Sequence, residues 1–79
     1  MAHHPNKYYI QFSEDLDLSL IPVRELAAIG TWSRRSSNIY QGTSPHTRKE
    51  IEDFLTGTCD IRPNRFRVIS DEDAIYLQR

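Results

Sequence analysis

The side chains able to act as nucleophile, general base or metal ligand are few and scattered along the chain. One cysteine, Cys59, and three histidines, His3, His4 and His46, stand among 79 residues. A cysteine or serine nucleophile needs a base beside it. His3 and His4 lie in the first few residues and His46 opens a predicted helix, so no Cys–His or Ser–His–Asp arrangement is indicated. Cys59 reads as a small buried or half-buried thiol next to a helix end. Zinc asks for about four ligands at characteristic spacings, and neither C-x-x-C nor H-x-x-x-H occurs. The acidic clusters Glu14, Asp15, Asp17 and Asp71, Glu72, Asp73 fall in predicted loops without the EF-hand pattern, and three scattered glycines make neither a dinucleotide fingerprint nor a Walker A loop. The expectation is a non-enzyme with no cofactor and no metal.

What the chain does carry is contact chemistry. Eight of its ten basic residues are arginine, whose planar guanidinium pairs with carboxylates and phosphates and stacks on aromatic rings. Strand alternation assigns Tyr9, Gln11, Arg65, Arg67, Ile69, Tyr76 and Gln78 to one side of a sheet. Aromatics interleaved with arginine on an open sheet can stack on bases or pack on a protein, although plain solvent-facing strand residues would give the same pattern. From this face Tyr9, Arg65, Arg67 and Tyr76 are the first candidate partner-binding set. A second candidate is Trp32, Arg34 and Arg35, in a polar stretch after the first helix. Trp and Arg are enriched at interface hot spots; equally, Trp32 can close the small core and leave the arginines solvated.

The elements that must position these residues follow from periodicity. Tyr8 to Phe12 alternates as a half-buried strand. Ser19 can cap a helix that carries Pro22 in its first turn, with Val23, Leu26, Ala27 and Gly30 at helical spacing and Gly30 ending it in a left-handed conformation. Ser33 to Asn38 reads as an exposed polar loop, and Ile39 to Gln41 as a short strand. Ser44-Pro45 followed by Thr47-Arg48-Lys49-Glu50 gives Pro at N1 and an overlapping capping box for a second helix. Ile51, Phe54 and Leu55 form its apolar stripe and Gly57 stops it. Phe66 to Ile69 and Ile75 to Gln78 form a hairpin with Val68 opposite Leu77 and Ile69 opposite Tyr76, because a one-residue slip would turn the apolar set outward. The predicted core is Ile10, Phe12, Leu26, Ile51, Phe54, Leu55, Val68, Ile75 and Leu77. The fold class is α+β in two layers, two helices on one face of a small, mainly antiparallel sheet in the order β-α-(β)-α-β-β. Residues 1–6 are a flexible N-terminal segment and 7–79 a single domain.

Composition narrows the partner. Hydrophobic residues make 38% and charged residues 27% of the chain, ordinary globular usage. The net charge of −1 supplies no long-range attraction to nucleic acid or to an anionic membrane. No apolar run approaches the ~20 residues of a membrane span, and a lone cysteine suits a reducing, cytoplasmic setting. The expected function is therefore a non-catalytic binding module that docks on a larger protein or ribonucleoprotein, of the kind small phage and mobile-element regulators or inhibitors represent. The alternative is a nucleic-acid-binding domain using the aromatic and arginine face or a winged-helix-like hairpin. In that hairpin, Asp71, Glu72 and Asp73 would meet phosphate with the wrong sign.

Overall fold

In the computed structural model, residues 6–71 are described. Four strands, β1 (Asn6–Phe12), β2 (Thr31–Arg34), β3 (Ile39–Ser44) and β4 (Phe66–Ser70), form one sheet in the order β2-β3-β1-β4. Every neighbouring pair is antiparallel. The helices are α1 (Val23–Ile29), between β1 and β2, and α2 (Arg48–Asp53), between β3 and β4. Because β1 and β2 both run against β3, they are parallel to each other with β3 between them. The same holds for β3 and β4 around β1. Two interlocked split βαβ units in a βαββαβ chain are the ferredoxin-like plan. The two-layer α+β class expected from sequence is present, with one strand more before β3 than periodicity indicated.

The core forms where alternation on the strands meets one stripe of each helix. Tyr8, Ile10 and Phe12 of β1, Tyr40 of β3 and Val68 of β4 share a buried cluster with Leu26 of α1 and Ile51 and Leu55 at α2, so both helices cover the same face. Of the predicted core, Ile10, Phe12, Leu26, Ile51, Leu55 and Val68 are buried; Phe54 is only half-buried. Ile75, Leu77 and the second strand of the predicted hairpin lie outside the described residues. β1 begins at Asn6, inside the segment expected to be a flexible terminus.

Helix boundaries are where local signals misled. The side chain of Asp17 accepts from the Ser19 backbone N–H and hydroxyl, so Ser19 belongs to a separate 3-10 turn, Leu18–Leu20. Pro22 precedes α1 as its cap residue rather than lying in its first turn. Gly30 is extended (φ 174°, ψ −173°), not left-handed. Its glycine is needed for space, since a Cβ there would collide with the Thr43 carbonyl oxygen. The capping box at α2 is the predicted one: Thr47 Oγ1 accepts from Glu50 N, and Glu50 Oε1 accepts from Thr47 N at 2.8 Å. Ser44 and Pro45 take no part in it. Ser44 is fully buried at the end of β3, where its hydroxyl donates to the Ile29 carbonyl and accepts from His46 N.

Gly57 does not stop the second helix. The chain widens into a π turn, Phe54–Thr58, closed by Cys59 N–H to Phe54 C=O at 3.1 Å. The Thr56 hydroxyl meanwhile donates back to the Glu52 and Asp53 carbonyls, a bond that competes with the helical ladder. Reversal falls instead to Asp60 (φ 57°), a short polar residue that tolerates the left-handed region. Ile61 N–H can then reach the Leu55 carbonyl at 3.0 Å.

Candidate partner-binding surface

The outer side of the sheet, away from both helices, is assembled by register. Ser33, Gln41, Tyr9 and Ile69 stand in one row across all four strands, and Ile39, Gln11 and Arg67 in the next. Lys7, opposite Thr43, begins a third. Tyr9, Gln11, Arg67 and Ile69 thus share the face expected for them. Tyr9 and Ile69 are not open to solvent, however. They are 5% and 8% exposed and form a small second apolar cluster with Ile39 packed against it.

The stretch Ser33 to Asn38, read as a loop, instead begins as strand. Ser33 and Arg34 belong to β2, and only Arg35–Asn38 turns. Arg35 N and Ser36 N both donate to the Ile39 carbonyl, and Asn38 Nδ2 ties the turn to the Phe12 carbonyl at 2.9 Å. This turn folds Arg35 over the outer face. Its guanidinium carbon lies 5.4 Å from the centre of the Tyr9 ring, and Nη1 donates to Gln41 Oε1 at 2.9 Å and to the Tyr9 hydroxyl at 3.3 Å. A cation over an aromatic face contributes about 0.5–1 kcal/mol at an exposed site. Arg35 is therefore held in one place while remaining exposed. Arg67, one row from Tyr9, is exposed too. Neither it, Arg35 nor Lys7 has a carboxylate within ion-pair distance among the described residues.

Arg65 departs from the expected set. It closes a 3-10 turn, Pro63–Arg65, just before β4. Its Nη1 donates to both carboxylate oxygens of Asp15 at 3.0 Å. The Ser13 hydroxyl and then Arg65 hold the Asp15 carboxyl below its ordinary range. Arg65 and Arg67 do border one polar cleft at the end of β1, together with Gln11, Ser13, Asn38 and Asn64. Tyr76 lies outside the described residues.

Trp32 faces the helix layer. It is half-buried, packs against the core and donates from Nε1 to the Leu26 carbonyl at 2.9 Å, so of its two readings the core-closing one describes its place. Arg34 is exposed on β2, with Nε donating to the Ser36 carbonyl. The triplet Trp32, Arg34 and Arg35 is accordingly split: Arg35 joins the Tyr9 face, whereas Trp32 borders a cleft between α1 and β2 with Val23, Leu26, Ala27 and Tyr40. Gln41 and Lys7 are the residues of this surface that sequence reasoning passed over, though strand alternation from Ile39 reaches the first and from Tyr9 the second.

Elsewhere the chemistry is quiet. Burial pushes the Cys59 thiol up, and the Glu25 carboxylate adds to the effect. His46 Nδ1 lies 3.8 Å from Glu50. Among the described residues no three His, Cys, Asp or Glu converge where a metal ion would sit, and no helix is long and apolar enough to cross a membrane. No protein-family model, curated protein or solved structure matches this chain.

Proposed function

We propose that this protein is a non-catalytic binding module that docks its outer sheet face on an acidic surface of a larger protein or ribonucleoprotein. The single observation behind this reading is Arg35. It is anchored by the Tyr9 ring, the Tyr9 hydroxyl and Gln41, yet exposed. An arginine fixed before binding loses little side-chain entropy on association, which is the advantage of preorganisation. Arg67 flanks it with the same sign, a pair of exposed cations on a chain whose net charge is −1, while Lys7, a row further on, stands opposite Asp71 where β1 meets the end of β4. A carboxylate-bearing surface complements the arginine pair. The single cysteine, Cys59, accords with a cytoplasmic setting.

A base-stacking mode is less well supported. Tyr9 is the aromatic on this face among the described residues, and its ring is buried beneath Arg35, so it offers no free π surface of the kind single-stranded nucleic acid uses. Affinity capture from lysate, with and without nuclease, separates the classes. The reading expects a protein retained after nuclease and lost in Arg35→Ala and Arg67→Ala. Recovery dominated by RNA or DNA, and abolished by nuclease, would point to the nucleic-acid class instead.

A further inference from the structure

β2 is an edge strand, and the hydrogen-bond phase of the sheet determines what that edge presents. Arg35 N–H donates to the Ile39 carbonyl, and in an antiparallel ladder bonded pairs alternate with unbonded ones. Ser33 with Gln41 and Thr31 with Thr43 are therefore the bonded pairs between β2 and β3, while Trp32 with Gly42 and Arg34 with Tyr40 are not. The β1–β3 ladder agrees: Phe12 N–H bonds the Asn38 carbonyl, so Tyr40 and Gly42 turn their backbone groups toward β1 and leave Ile39, Gln41 and Thr43 to β2. The N–H and C=O groups of Trp32 and Arg34 consequently point outward from the sheet, and no backbone partner meets them among the described residues.

The geometry points to a second copy of this chain as the occupant of that edge, paired antiparallel through β2. Among the registers in phase with these groups, the one centred on Ser33 pairs unlike side chains. With Ser33 opposite Ser33 across a twofold axis, Trp32 of each copy faces Arg34 of the other. Both pairs then exchange N–H···O=C bonds in phase with the outward groups. This register also sets a guanidinium beside an indole, a favourable cation–aromatic contact. Moving the axis to Arg34 would oppose two like charges. The axis runs perpendicular to the sheet, so the helix layers fall on one side and α1 meets its counterpart. There the exposed Val23 (55% accessible) and Ala27 line the cleft beside Trp32, and they supply the apolar area that four backbone hydrogen bonds alone would lack. The result is an eight-stranded sheet, with the two Arg35-bearing faces on the opposite side from the helices. This assembly rests on the edge alone and does not depend on what the outer face binds.

Sedimentation equilibrium on the wild-type chain, with Ser33→Cys and Thr31→Cys each placed in a Cys59→Ser background, tests the proposal. Ser33 would oppose its own copy in an unbonded pair, with Cα atoms about 4.5 Å apart, inside the roughly 4.4–6.8 Å range of disulfides. The expected result is a mass twice that of the chain and rapid oxidative cross-linking of Ser33→Cys but not of Thr31→Cys. Arg34→Pro, which removes one outward N–H at a position where an edge strand accepts proline, should yield a folded monomer. A wild-type monomer at every concentration, preferential cross-linking of Thr31→Cys, or a folded Arg34→Pro dimer would each overturn the proposal. Should Arg34→Pro fail to fold, the cysteine pair decides by itself.

Discussion

Gly42 is the position at which the packing of this domain is most exposed to a single added methyl group. It sits in β3 opposite Trp32, and a Cβ built there would collide with the Thr31 carbonyl oxygen and lie 2.6 Å from Trp32 Cε3 and 2.9 Å from Trp32 Cα. The indole can swing away, but the Thr31 carbonyl belongs to the neighbouring strand, so Gly42→Ala must also shift the β2–β3 pair. Forcing a methylene into a filled core costs about 1–3 kcal/mol. Part of the strain falls on the Trp32 Nε1–Leu26 carbonyl hydrogen bond, worth about 1 kcal/mol when made. In a domain of this size 1 kcal/mol moves the Tm by roughly 4–8 °C, so Gly42→Ala should lower it by at least about 4 °C. Trp32 is the chain's only tryptophan, which lets its fluorescence and near-ultraviolet circular dichroism report the change directly. Urea unfolding should show a reduced midpoint with an unaltered slope. In a Trp32→Leu background the penalty should shrink without vanishing, because the carbonyl remains. An unchanged midpoint and unchanged tryptophan spectrum in Gly42→Ala would refute this account of how β2 sits on β3.

Two further outcomes follow from burial and charge. Leu55 is fully buried and Phe54 only half so; Leu55→Ala should cost about 2–5 kcal/mol and Phe54→Ala less, and the reverse order in urea unfolding would mean that the π turn faces the other way. Asp15, Asp17 and Glu50 all have carboxyls held below their ordinary range, Asp15 by Ser13 and then Arg65, Asp17 by Ser19 and Glu50 by Thr47. A depressed folded-state value makes their contribution complete above the unfolded carboxylate range and lost as pH falls through the folded one. Stability should therefore decline on acidification below about pH 4; Glu50→Gln, which removes one of these carboxyls, should flatten that decline, whereas Thr47→Ala, which keeps the backbone N–H bound to Glu50 Oε1, should cost about 1 kcal/mol at neutral pH through the lost side-chain cap.

How far the fold can be read from the chain depends on whether a local signal is also the deciding one. Alternation placed β1, β3 and β4, and the Thr47–Glu50 capping box placed α2, because those residues satisfy themselves within a few positions. β2 was hidden for a different reason. Its turn, Arg35–Asn38, carries no glycine or proline, and Ser33 and Arg34 look like loop residues until Trp32 is seen to anchor the strand by packing over Gly42, ten positions away. Gly30 and Gly57 resemble helix stops in isolation. The first is required by close approach to β3, and the second is carried through a π turn whose end is set by Asp60 and Ile61. The candidate surface divides in the same way. Alternation brought Tyr9 and Arg67 to one face, but the removal of Arg65 to Asp15 and the arrival of Arg35 over Tyr9 are contacts between residues 50 and 26 positions apart, which periodicity does not encode.

The most direct test of the binding account is the affinity of wild type, Arg35→Ala and Arg67→Ala for the captured partner, measured across a salt series with folding checked by circular dichroism. A preorganised cationic face predicts that each variant stays folded and loses roughly 2 kcal/mol or more of binding, about thirtyfold, with a weaker salt dependence than the steep slope of phosphate neutralisation. Variants that remain folded and bind as tightly as wild type at every salt concentration would contradict it.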